Sequence, residues 1–269
     1  MVTKKLTPEK TQNRKKSKPR KPRKRKVNPW LVAALVLLFA GAVAYPYLRA
    51  GLFATEGAAV PPDARKFCVD LSHHNEGIVW DSLMVLVNSR GRTGKDLLKA
   101  KRIYPVSYVI MKATEGERMV DRRFGEYWEA AGGRDCARGA YHFFRSSKDP
   151  VKQAEHYAST VRLSHKDLPP VLDVETMHDG CTKEQLSEKV LVWLRETEKR
   201  FGRRPIVYTS DSFARDILSA DITGHYPMWI ARYNENPPRF QDWKMWQFTD
   251  KAVLHGVNGY VDLSIIKEE

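Results

Sequence analysis

The sequence predicts an α/β fold, an irregular (β/α)5(β)3 barrel preceded by one transmembrane helix. Three observations carry that prediction. From residue 66 onward short apolar runs alternate with helical stretches, the pattern of a largely parallel sheet. After Leu218 the helices run out and three short strands follow, joined by loops. Ahead of all this, residues 30–48 contain no charged side chain.

The chain begins with a basic tail. Of its 46 Lys and Arg and 32 Asp and Glu, residues 1–28 hold 13 bases and one acid, Glu9, which leaves 33 bases against 31 acids in the remainder. The net charge of +14 therefore belongs to the tail, and the near-neutral body lacks the footprint of a nucleic-acid binder. Pro8, Pro19 and Pro22 and the lack of apolar periodicity predict disorder over 1–28.

Residues 29–48 are expected to be a signal anchor. As a helix, 30–48 spans about 28 Å at 1.5 Å per residue, close to the hydrocarbon thickness of a bilayer. Trp30, Tyr45 and Tyr47 stand at its ends as interfacial aromatics do. The preceding bases predict a cytoplasmic N-terminus and an extracytoplasmic body on a bacterial membrane. A cleaved signal peptide is the competing reading, since Ala42-Val-Ala44 has the small-x-small form of a cleavage site. Either way the body is exported. Residues 49–65, rich in Ala, Gly and Pro, read as a linker of roughly 21–25 Å reach, and 66–269 as the catalytic domain.

Within that domain, strands are expected at 67–71, 107–112, 138–144, 170–174 and 205–209, and helices at 122–131, 150–161 and 182–201. The last helix opens on a capping pattern, Thr182-x-x-Gln185. The later strands fall at 228–231, 244–248 and 260–263. Residues 88–102 form a long basic stretch read as a solvated loop and helix.

Polar residues gather at the predicted C-terminal strand ends: Asp70, Lys112, His142, Asp173, Glu175, Tyr208, Arg232, Gln247 and Asp262. In a parallel barrel that rim builds the active site. Because a strand alternates its faces, Asp173 and Glu175 point the same way, their Cβ atoms about 6.6 Å apart. One charge then raises the proton affinity of the other, which suits acid catalysis on a glycosidic bond.

At this point the chain resembles a known family. The segments Val69-Asp-Leu-Ser-His-His74, Val109-Ile-Met-Lys-Ala-Thr-Glu-Gly116, Gly139-Ala-Tyr-His-Phe-Phe144, Leu168-Pro-Pro-Val-Leu-Asp-Val-Glu175, Pro205-Ile-Val-Tyr-Thr-Ser210, Trp229-Ile-Ala-Arg-Tyr233, Trp246-Gln-Phe-Thr249 and Val261-Asp-Leu263 are similar, in order, to glycoside hydrolase family 25, the Chalaropsis-type lysozymes. The resemblance covers about 66–266 and implies an incomplete TIM-like barrel that cleaves the β-1,4 bond after N-acetylmuramic acid in peptidoglycan. It implies Glu175 as the acid, Asp173 as its partner, and Asp70 and Asp262 flanking the reaction centre. It also implies substrate assistance, in which the 2-acetamido oxygen attacks C1 while Asp173 orients it; the 6.6 Å spacing by itself lies near the inverting range. The basic stretch 88–102 is longer than the family usually carries.

Tyr141, Lys112, Tyr208, Trp246, Gln247 and His142 are the expected substrate-binding set; for the three aromatics, sugar platform and barrel filling both stand open. His73-His74 lacks the spacing of a metal site, so a hydrogen bond to a rim acid is expected and neither metal nor cofactor. Cys68, Cys136 and Cys181 are an odd count with no disulfide framework. The expected partners are peptidoglycan strands and the membrane, with no nucleic acid. A catalytically silent wall-binding module on the same barrel is the alternative, and the four acids argue against it.

Overall fold

The computed structural model describes residues 56–267. The basic tail, the predicted anchor and linker residues 49–55 lie outside them. No helix among the described residues is long and apolar enough to cross a membrane.

The strands, in chain order, are β1 (Glu56–Ala59), β2 (Phe67–Leu71), β3 (Met84–Asn88), β4 (Arg92–Gly94), β5 (Ala100–Glu115) and β6 (Met119–Val120), then β7 (Ala137–Phe143), β8 (Val171–Asp173), β9 (Ile206–Ser210), β10 (Met228–Ala231), β11 (Trp243–Ala252) and β12 (Val261–Ile266). The helices are α1 (Phe124–Ala131), α2 (Pro150–Thr160), α3 (Lys183–Phe201), α4 (Asp211–Asp216) and α5 (Ala220–Thr223). Hydrogen bonding runs β5–β2–β12–β11–β10–β9–β8–β7 and returns to β5, closing an eight-stranded barrel. Every pairing in the ring is parallel except the two made by β12.

That reversal corrects one expectation. Asp262 sits at the start of its strand, and it reaches the active rim because β12 runs against its neighbours, with Asp262 directly opposite Asp70.

The first crossover is a second correction. Between β2 and β5 the chain makes only short 3-10 turns and the antiparallel strands β3 and β4, so the barrel lacks one of its five expected helices. The cause is local: Val85-Leu-Val87 is a buried strand-forming run. The turn after it closes with a hydrogen bond from Gly91 N to Asn88 O (3.0 Å), Gly91 taking a φ of 72°. The stretch expected as loop and helix thus contains β4 and the start of β5. Part of the predicted linker is likewise structured, since β1 pairs with β4.

The three predicted helices are present. Thr182 and Gln185 make the reciprocal capping box of α3, and Gly202 ends it at φ 64°. Asp149 caps α2 with Pro150 in the first turn. α3 buries Leu186, Val190, Trp193 and Leu194 on the barrel's outer face, each worth about 1.5–3 kcal/mol against exposure. All three cysteines are free thiols.

Candidate active site

The alternation of each strand decides which side chains enter the barrel. Cys68, Ile110, Val171, Ile206, Trp229 and Met245 fill its interior as one apolar cluster. Residues two positions further along the strands rise above that plug: Asp70 over Cys68, Asp173 over Val171, Tyr208 over Ile206, Gln247 over Met245. With Tyr141, Glu175, Trp229, Tyr233 and Asp262 they line a cavity of about 150 Å³. All four predicted catalytic acids therefore meet in one place.

Their settings differ. β8 ends at Asp173, so Glu175 lies just beyond the strand and is exposed, whereas Asp173 is buried. Asp173 Oδ1 has no hydrogen-bond partner among the described residues. Burial, and after it the Glu175 carboxylate, holds the Asp173 carboxyl well above the ordinary aspartate range. Asp70 is also raised well above that range, by burial and then by Asp262. Asp262 is pushed up to about 6, mainly by burial, with Asp250 and Glu175 adding to it. Two carboxyls placed opposite each other on neighbouring strands release their protons in linked steps.

Gln247 orders this cluster. Its Nε2 donates to Asp70 Oδ2 (3.0 Å), while its Oε1 accepts from Tyr208 OH (2.8 Å) and Tyr233 OH (2.9 Å). Burial, with Asp173 next, keeps the Tyr141 phenol well above its usual range, so it stays protonated and can donate.

Three of the expected substrate-binding residues are elsewhere. His142 is fully buried on the outer face of β7, stacked on Trp193 at 5.5 Å. Its neighbour Tyr141 faces the cavity, so His142 cannot. Gln153 Oε1 already accepts from Arg145 N, so His142 Nε2 donates to it (3.2 Å) and Nδ1 accepts from Thr114 Oγ1 (2.7 Å). Burial pushes this imidazole down to about 3. Trp246 is displaced for the same reason: Gln247 faces in, and Trp246 packs outward on Trp243 and Phe248 with its Nε1 donating to Arg232 O (2.8 Å). Lys112 pairs with Glu115 at the rim (2.6 Å) and does not line the cavity, though its charge partly offsets the rise at Asp173. The His73 ring meets Asp121 (2.6 Å), an acid just after β6 and not one of the four named at the rim.

Trp229 and Tyr233 are the wall residues missing from the predicted set. Trp229 packs edge-on against Tyr208 at 4.7 Å and donates to Ser264 Oγ (2.9 Å). Register pairs it with Tyr208, and that partner was the signal to look for.

A closed barrel with carboxyls and tyrosines converging on its C-terminal rim is the architecture of a glycoside hydrolase. Residues 69–257 match glycosyl hydrolases family 25, and the chain belongs to that family. It is 37% identical over 199 residues to the protein YegX of Escherichia coli O6:H1, covering 73% of this chain and 68% of that one. It is 27% identical over 240 residues to lysozyme M1 of Streptomyces globisporus, covering 80% and 76%. Among solved structures, a family 25 glycosyl hydrolase from Bacillus anthracis superposes with a TM-score of 0.64 at 24% identity, over 80% of this chain and 94% of that one.

Proposed function

We propose that the chain is an exported muramidase, hydrolysing the β-1,4 bond between N-acetylmuramic acid and N-acetylglucosamine, with Glu175 as general acid and Asp173 as the partner of the 2-acetamido group. The observation that carries this reading is the unpaired, buried Asp173 Oδ1 beside the solvent-facing Glu175. A buried carboxylate oxygen without a donor costs free energy, and an acetamide N–H supplies the donor.

Substrate then changes the setting of Asp173. In the empty cavity burial favours a proton on Asp173. An acetamide N–H bonded to Oδ1 favours the ionised form of Asp173, which then orients the acetamido group. The acetamido oxygen attacks C1 as the glycosidic C–O bond breaks and Glu175 protonates the leaving alcohol. Glu175, now a carboxylate, takes a proton from the water that opens the oxazoline. Asp70 and Asp262 add negative potential near the cationic sugar.

The uncharged run 30–48 behind a segment of net charge +12 supports anchoring of the chain through residues 29–48, N-terminus cytoplasmic. A reporter fused after Glu269 is expected to be active only outside the cytoplasm; activity inside would reverse this topology. The enzymatic reading is tested by digesting purified peptidoglycan and identifying the reducing ends by mass spectrometry. Muramic acid ends support it. Glucosamine ends, or wall binding without new ends, overturn it.

A further inference from the structure

We infer that the substrate groove continues past the catalytic cavity into a second pocket, built by β1 and the end of β11, that receives the peptide branch carried by the muramic sugar. This inference rests on the muramidase reading and names a part of the substrate which that reading leaves out. The pocket encloses about 380 Å³, more than twice the catalytic cavity, and Tyr233 belongs to the walls of both. Its hydroxyl bonds Gln247 inside the catalytic site while the residue as a whole is 54% exposed. A group leaving the cavity on that side passes directly over it.

The second pocket is a built feature. Gly57 of β1 lies so close to the Thr93 side chain of β4 and to the backbone at the end of β11 that a Cβ there would fall 2.4 Å from both Thr93 Oγ1 and Val253 N. Thr93 Oγ1 in turn accepts from Val253 N (3.1 Å), tying β4 to the end of β11. β1 lies upstream of the family match at 69–257.

The chemistry of the lining selects the ligand. Arg92 and Lys251 bring positive charge and Glu56, Glu235 and Asp250 negative charge; Glu56 is paired with Arg90, and the other four are exposed. Among the described residues none of the four makes an ion pair with another side chain. A neutral sugar can hydrogen-bond to such a lining but would leave its charges without counter-charges. A short peptide with free carboxylates and an ammonium carries both signs, and its backbone and methyl groups suit the exposed faces of Tyr233 and Tyr260.

The test compares glycan strands that keep their peptides with the same strands stripped by an amidase, using the full chain. Binding is measured with the Glu175→Gln protein so that turnover does not intervene. Peptide-bearing strands are expected to bind about tenfold tighter, the scale of one or two charge-assisted contacts. The further double substitution Arg92→Glu, Lys251→Glu, at exposed positions, should bring that ratio to about one while leaving affinity for stripped strands within about twofold. Equal affinity for the two substrates, or a preference that survives the double substitution, overturns the inference. Tighter binding of peptide-bearing strands without any cleavage by the unsubstituted chain would instead retire the muramidase reading and leave the pocket standing.

Discussion

Two buried polar groups on the inner and outer faces of neighbouring strands, Asp173 and His142, are treated in opposite ways. On the outer face His142 has both ring nitrogens bonded, and Thr209 Oγ1 donates to Val174 O (2.6 Å). On the inner face Asp173 Oδ1 has no partner among the described residues, and Asp70 stands opposite Asp262. Both faces are buried, so burial alone does not distinguish them. Satisfaction does: a bonded group steadies the fold, while an unpaired or like-charged one holds free energy that a substrate can release.

The largest break in this comparison comes from Glu175→Gln. Loss of the dissociable proton should lower turnover by about 10²-fold or more, without loss of glycan binding. Thermal unfolding should barely change, because Glu175 is exposed. Asp173→Asn should also slow turnover. A substrate with a good leaving group, needing little protonation, should rescue Glu175→Gln far more than Asp173→Asn. Equal rescue would mean that the acid is not Glu175.

The outer face should respond in stability and not in chemistry. His142→Leu removes two hydrogen bonds and strands the Thr114 hydroxyl, a cost of about 2–3 kcal/mol by urea unfolding. Turnover per folded molecule should stay within about twofold. The cost also has a pH signature. Because the folded imidazole is depressed to about 3, its stabilisation is complete above the unfolded value near 6.5 and fades on acidification. A well-folded His142→Leu protein without activity would place the histidine in the site after all.

Much of this comparison was legible in the sequence. The alternation that puts Asp173 and Glu175 on one face also separates Tyr141 from His142 and Gln247 from Trp246, so two misplaced residues violated a rule already in use. The direction of β12 was not legible, because an apolar run carries no sign of which way it is threaded. β1 was hidden for another reason. Glu-Gly-Ala-Ala has no strand propensity, and Gly57 gives it the close approach to partners 36 and 196 residues away, Thr93 and Val253, that a side chain would block. The capping box of α3 and the ends of α2 are local chemistry and read directly.

The smallest expected effect sharpens the comparison most, because its sign is opposite to that at His142. Asp262 is pushed up to about 6 from 3.8, so the fold favours its protonated form. Its contribution to stability is complete below about pH 4 and is lost as pH rises through 6. Above that, an ionised Asp262 faces Asp250 and Glu175, and its hydrogen bond with Asp70 offsets only part of that cost. Asp262→Asn removes the charge and keeps the shape. Two pKa units correspond to at most about 2.7 kcal/mol, and partial exposure to solvent reduces the expected gain to about 1–2 kcal/mol at pH 7.5. At pH 4 the gain should vanish. Turnover should fall at the same time, since the lost carboxylate no longer faces the cationic sugar. Unfolding measured at both pH values checks this. A variant equally stabilised at pH 4 and 7.5, or destabilised at both, would mean that the acids on the inner face are settled structure like His142 and that the division between the two faces does not hold.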